Sequence, residues 1–225
     1  MPPANTAISV FFFGDSICWG QGVSPHAGWV GRISQHLDAV GHAIGRPVLV
    51  ANAGVNGNTT RLALERMHHD VLSHGCDVLL VQFGMNDCNY WRTDNGVPRV
   101  SPAAFTANLH EIFDRARAFG VRRLFLNTNH PSARYAEMPP ARVRYQDSNA
   151  RYNELARSVA REREDVRLID VEERFRESIA SGRATIDALV LPEPDMLHLS
   201  LKGHDLYFSI VSPQVESAVR ELAGS

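Results

Sequence analysis

The chain has 225 residues, 44% hydrophobic and 21% charged, with 23 Lys and Arg against 25 Asp and Glu for a formal net charge of −2. That length suits one α/β domain spanning residues 1–225, and the near-neutral balance excludes the broad basic footprint of a nucleic-acid or anionic-membrane binder. No apolar run approaches the ~20 residues that cross a bilayer, and Cys18, Cys76 and Cys88 are too few and too scattered for a disulfide framework or a Cys-based zinc site.

Met1 to Thr6 lacks a basic region, and Ile8 to Phe13 is too short for a signal core with a cleavage site, so a cytoplasmic location is expected. The same apolar run reads as a buried strand that stops abruptly at Gly14-Asp15-Ser16. A serine at that carboxyl end is either a cap or a nucleophile. A helix follows over about Gly28 to Val40, with Trp29, Ile33, His36, Leu37 and Val40 on one face and Gly41 as its end. Pro47 to Ala51 reads as a second buried strand, followed by the loop Asn52 to Asn58. Thr59 or Thr60 caps a helix carrying Leu62, Leu64, Met67, Val71 and Leu72, closed by Gly75.

Asp77 to Phe83 is the third strand, running into Gly84-Met85-Asn86-Asp87 and an aromatic loop through Tyr90 and Trp91. Ser101-Pro102 starts a helix with the stripe Phe105, Leu109, Ile112, Phe113 and Ala116, stopped by Gly120. Arg123 to Asn127 is the fourth strand and opens into a Pro-rich loop through His130 to about Tyr145. A helix over about Ser148 to Arg163, a short strand from Val166 to Asp170 and a helix ending near Gly182 follow. Leu199-Ser200 with Gly203 starts the last helix, whose stretch from Leu206 to Leu222 breaks or restarts at Ser212-Pro213. The alternation predicts a mostly parallel five-stranded sheet with helices on both faces, a three-layer α/β/α sandwich.

In such a sheet the carboxyl ends of the strands share one edge, which gathers Ser16, a loop glycine and Asn86 around one crevice. The N–H of Ser16, a glycine N–H and the Asn86 amide would supply three donors for a tetrahedral oxyanion. Asp195-x-x-His198 puts carboxylate and imidazole side by side in one turn, fixing the tautomer and leaving the other ring nitrogen as a base. That chemistry needs no metal and no cofactor.

Gly14-Asp15-Ser16, Gly57, Gly84-x-Asn86-Asp87 and Asp195-x-x-His198 stand in the order and approximate spacing of the SGNH (GDSL-type) hydrolases, which the chain resembles from residue 13 to residue 204. The resemblance implies a flavodoxin-like sandwich and a serine esterase acting on a small-molecule or carbohydrate ester. It implies Ser16 as nucleophile, His198 as base, Asp195 as its orienter, and Ser16, Gly57 and Asn86 as the oxyanion hole. Gly54 competes with Gly57 for that role and is read as serving the turn. Met196-Leu197 stands where Gly-Ile or Gly-Leu is frequent, so Met196 narrows the crevice.

Tyr90, Trp91 and His130 are the expected substrate contacts; Asp87 bonds backbone in its own loop, and His204 belongs to the helix start. Cys18 is the weaker candidate nucleophile, inside the turn or helix after Ser16. Acyl transfer to an alcohol would use the same residues. Gly14-Asp15, Gly84-x-Asn86-Asp87 and Gly203-His204-Asp205 superficially resemble metallophosphoesterase motifs, but the early Asp-x-His and the second Asp are missing. A Gly-x-Ser-x-Gly elbow is also absent, and an idle carbohydrate-binding module would not need the full set.

Overall fold

The computed structural model describes residues 7–224; the reading of Met1 to Thr6 lies outside the described residues. The apolar run near the start forms β1 (Ile8–Gly14) and turns at once into the short α1 (Ser16–Trp19). Then come α2 (Trp29–Ile44), β2 (Val48–Gly54), α3 (Thr60–Asp70), β3 (Val78–Gln82), α4 (Pro102–Ala118) and β4 (Arg123–Asn127). A two-stranded antiparallel hairpin, β5 (Glu137–Met138) and β6 (Val143–Arg144), interrupts the Pro-rich loop. The remaining elements are α5 (Tyr145–Glu162), β7 (Val166–Ile169), α6 (Val171–Ala180), α7 (Ile186–Leu189) and α8 (Leu201–Ala223).

The main sheet has the order β2-β1-β3-β4-β7, and every pairing in it is parallel. From β1 the chain crosses outward to β2, and from β3 it crosses the other way to β4. Right-handed crossovers therefore place helices on both faces, as the packing pairs α2 with α8 and α8 with α6, and α3 with α4 and α4 with α5. This is the flavodoxin-like arrangement, with its switch point between β1 and β3. Gly14 is level with Gly54 on one side and Gln82 on the other, so the strands that carry the site end at one height.

Phe12, Phe13, Trp29, Phe105, Phe113, Tyr152 and Tyr207 are fully buried. Each aromatic of this kind contributes about 1.5–3 kcal/mol by leaving water. Phe12 meets Trp29 edge-on at 5.3 Å, and Trp29 stacks on Tyr207 at 4.5 Å, joining sheet, second helix and last helix.

Four expectations are corrected. Gly41 does not end α2: it sits inside the helix where a Cβ would lie 3.2 Å from Val48 N, and Gly45 in the left-handed region closes the helix instead. β2 is an edge strand with Leu49 61% exposed, and it takes in Asn52 to Gly54 from the expected loop. The hairpin and α7 went unread because each is too short to show a period. Finally, α8 runs unbroken through Pro213, which lies on the exposed face where water can satisfy the freed carbonyl.

Candidate active site

Ser16 is the first residue of α1, directly beyond β1. The turn is capped by Asp15, whose Oδ1 accepts the Ile17 N–H at 2.9 Å. The Ser16 side chain is nearly covered, and its Oγ lies 2.9 Å from His198 Nε2, across 182 positions of sequence. On the far side of the ring, Nδ1 meets Asp195 Oδ2 at 2.7 Å. Asp195 Oδ1 accepts the backbone N–H of His198 at 2.7 Å and of Leu197 at 3.0 Å. Burial works against its ionisation, but the bonds from the His198 ring and these two N–H groups outweigh it, so the carboxyl is held below its ordinary range. An ionised Asp195 makes Nδ1 the protonated nitrogen and turns the Nε2 lone pair toward the serine.

The turn bearing His198 is strapped at four consecutive carbonyls. Asp195 O accepts from Arg134 Nε at 2.6 Å, Met196 O from Ala133 N at 2.9 Å, Leu197 O from His130 Nε2 at 2.9 Å, and His198 O from Leu191 N at 2.7 Å. His130 therefore does not line the crevice as expected. It is fully buried beside Phe175 and Tyr207, with its pKa pushed down to about 4, chiefly by desolvation, so it is a neutral donor to the Leu197 carbonyl. His204 is likewise buried and serves packing: its Nδ1 accepts the Trp29 N–H at 3.2 Å.

The two glycines separate cleanly. The Gly54 N–H is spent on Asn52 Oδ1 at 3.0 Å, and a Cβ there would lie 2.5 Å from Trp19 N, so Gly54 serves close packing against the serine turn. Gly57 has φ +77, is exposed, and its N–H has no acceptor among the described residues. The Ser16 N–H is equally without an acceptor there. Asn86 points its Nδ2 toward Asp15 Oδ2 at 3.4 Å, and its Oδ1 accepts from Arg99 at 3.3 Å.

Asp15 is fully buried, and desolvation first, with Asp87 nearby, pushes its pKa up to about 7 against the bond from Ile17. Asp87, pushed up to about 6 by burial, does not bond backbone only in its own loop: its Oδ1 takes both the N–H and the hydroxyl of Thr60, at 2.9 and 2.6 Å, pinning the start of α3. Cys18 is buried and its thiol is pushed well up by desolvation, which removes it as a nucleophile. Among the described residues no group of three or more His, Cys, Asp or Glu could hold a metal ion.

A groove of about 720 Å³ runs between the loop after Asn86 and the turn before His198. Tyr90 and Trp91, the expected substrate contacts, line it together with Tyr135, Tyr145 and Met196. Met196 holds φ 55, the left-handed region that glycine adopts most readily. A larger depression of about 820 Å³ lies between β7, α6 and α8; neither cavity is lined by Ser16 or His198 themselves, but the groove reaches Met196, two residues from His198. Arg99, Arg134 and Arg66 gather around the site without a local sequence signal. Arg99 and Arg134 spend their guanidinium groups on backbone or amide oxygens around the site, and Arg66 divides its own between the Asp70 carboxylate at 2.6 Å, Asn58 Oδ1 at 2.6 Å and the carbonyls of Gly14 and Ala53 at 2.9 Å. Arginine in a polar loop, or on a helix as Arg66 is in α3, carries no sequence pattern that marks it.

The model of the GDSL-like Lipase/Acylhydrolase family matches residues 12–206. The lipoprotein YqeF of Bacillus subtilis is 30% identical over 169 residues, 68% of each chain, and the esterase TesA of Pseudomonas aeruginosa is 27% identical over 125 residues, 56% of each. The fold is shared with Axe2, an acetylxylan esterase from Geobacillus stearothermophilus, at a TM-score of 0.71, 21% identity and 95% coverage of both chains. No helix among the described residues is long and apolar enough to cross a membrane.

Proposed function

The chain belongs to the GDSL-like lipase/acylhydrolase family and is a carboxylic ester hydrolase, and from that premise we propose that it works through a Ser16 acyl-enzyme on short acyl groups borne by a carbohydrate or similar polyol. The observation that carries the reading is the chain of contacts Asp195–His198–Ser16, at 2.7 and 2.9 Å. His198 Nε2 takes the Ser16 proton as Oγ attacks the ester carbonyl. Asp195, held ionised, stabilises the imidazolium that forms. The carbonyl oxygen becomes an oxyanion among the N–H groups of Ser16 and Gly57 and the Asn86 amide. His198 returns the proton to the leaving alcohol, and water then enters by the same route to release the acid.

The substrate class rests on the groove. Tyr135 and Trp91, the latter with one ring face covered by the Arg99 guanidinium, are about half exposed beside charged rim groups, Arg92, Arg134, Glu137 and Glu193. Flat faces with flanking donors and acceptors suit a ring carrying hydroxyls. Axe2, a protein of the same fold, is an acetylxylan esterase.

The test is hydrolysis of p-nitrophenyl esters from acetate to octanoate, alongside acetylated xylo-oligosaccharides. Acetyl esters should turn over fastest, with a burst of p-nitrophenol equal to the enzyme concentration wherever deacylation limits. Ser16→Ala should lose about 10⁴-fold or more in kcat. Undiminished turnover by that variant overturns the nucleophile, and a preference for octanoate overturns the substrate class.

A further inference from the structure

Arg99 occupies an unusual position. Its Nη1 donates to two oxygens at once, the side-chain Oδ1 of Asn86 at 3.3 Å and the backbone carbonyl of Gly57 at 3.2 Å. The guanidinium carbon lies over the Trp91 ring, 3.9 Å from its centroid. Its own backbone N–H is fixed to the Asn89 carbonyl at 2.9 Å. Half-buried Arg66, Arg117, Arg157 and Arg163 all pair directly with carboxylates, whereas Arg99 forms no ion pair among the described residues. Its donors are spent on the two loops that end β2 and β3.

We propose that Arg99 is the positioning residue of the oxyanion hole, clamping the Asn86 amide and the Gly57 turn so that their N–H groups face the reacting carbonyl. The inference rests on the reading of Asn86 and Gly57 as oxyanion donors given above. An asparagine amide has two nearly isosteric ends, and its orientation is set by what faces each. A guanidinium only donates, so it binds the oxygen end of the amide and repels the NH₂ end. With Oδ1 held by Arg99, Nδ2 turns toward Asp15 and the crevice, and its second hydrogen is left for an oxyanion. The positive charge against Oδ1 also polarises the amide and strengthens its N–H groups as donors. The bond to the Gly57 carbonyl fixes the turn that carries the Gly57 N–H, a residue in the left-handed region with nothing packed within 4 Å of a notional Cβ. The turn is also closed by the Asn58 N–H on the Val55 carbonyl at 3.2 Å and anchored by Arg66 Nε on Asn58 Oδ1 at 2.6 Å, and the clamp adds its tie to the loop after β3.

A double-mutant cycle on kcat for p-nitrophenyl acetate tests the clamp. Asn86→Ala should lose about 10²–10³-fold, as for one oxyanion donor. Arg99→Met should lose about 10–100-fold in kcat with KM changed less than about threefold, and Arg99→Lys, which keeps a donor, should recover to within about tenfold of the parent. In the Asn86→Ala background, Arg99→Met should cost no more than about fivefold, the share carried by Gly57. Full multiplicativity of the two losses, a pure KM effect, or a wild-type kcat for Arg99→Met overturns the clamp while leaving the Asn86 assignment standing. Wild-type kcat for Asn86→Ala overturns both. If circular dichroism shows Arg99→Met unfolded, Arg99→Gln runs the same cycle under the same criteria.

Discussion

The Asp195 carboxylate stands 2.7 Å from His198 Nδ1, while its other oxygen collects the N–H groups of Leu197 and His198 itself. One side chain thus shapes the turn and sets the tautomer of the ring. Asp195→Asn keeps the shape and loses the charge. It favours the tautomer with the proton on Nε2, which cannot accept from Ser16. The expected result is a loss of about 10⁴-fold in kcat with little change in Tm, read by ester hydrolysis and thermal melting. A loss under tenfold would mean that Asp195 only shapes the turn.

Gly54 and Gly57 should fail in different ways. Gly54→Ala puts a methyl 2.5 Å from Trp19 N and forces α1 away from β2, so it should cost about 1–3 kcal/mol and lower Tm by roughly 2–10 °C. Gly57→Ala meets no atom within 4 Å and carries only the strain of φ +77, about 1 kcal/mol. Its Tm should fall by no more than about 4 °C. Melting curves of the two variants decide the matter, and equal losses would contradict the packing described for Gly54.

Buried Asp15 makes stability depend on pH. Its carboxyl titrates at about 7 in the folded chain, because desolvation outweighs the bond from Ile17, against 3.8 unfolded. Between those values the folded state holds a proton that the unfolded state has released, so this contribution is fully present below pH 3.8 and is lost as pH rises to about 7. Asp15→Asn should therefore gain on the wild type by up to about 4 kcal/mol between pH 4 and pH 8 in urea unfolding. A constant difference across that range would show that Asp15 ionises normally. His130 acts in the opposite sense: its folded value of about 4 means stability is lost as pH falls from 6.5.

Much of this was legible in the sequence, for physical reasons. The strands buried on both faces, β1 and β3, are uncharged runs ended by small polar residues, and α4 carries both a Ser-Pro start and a clear stripe. Ser16 and Asn86 could be placed because parallel strands end at one edge, and Asp195 with His198 because a spacing of three is a local fact. His130 was misplaced because a residue just past a strand looks the same in sequence whether it faces solvent or packs beneath a neighbouring loop. Gly41 was misread because a glycine that admits a close strand resembles one that stops a helix. The arginine contacts from Arg99 and Arg134 span distances that no local pattern encodes: Arg134 reaches 61 positions along the chain.

The four carbonyl straps on residues 195–198 have a consequence for anyone recombining this scaffold with a relative. Three of those straps originate in the short stretch from His130 to Arg134, so the two stretches are inherited as a matched pair. A chimera whose crossover falls between them would join a seat from one parent to a base from the other. Exchanging both stretches together, or neither, is the design rule that follows.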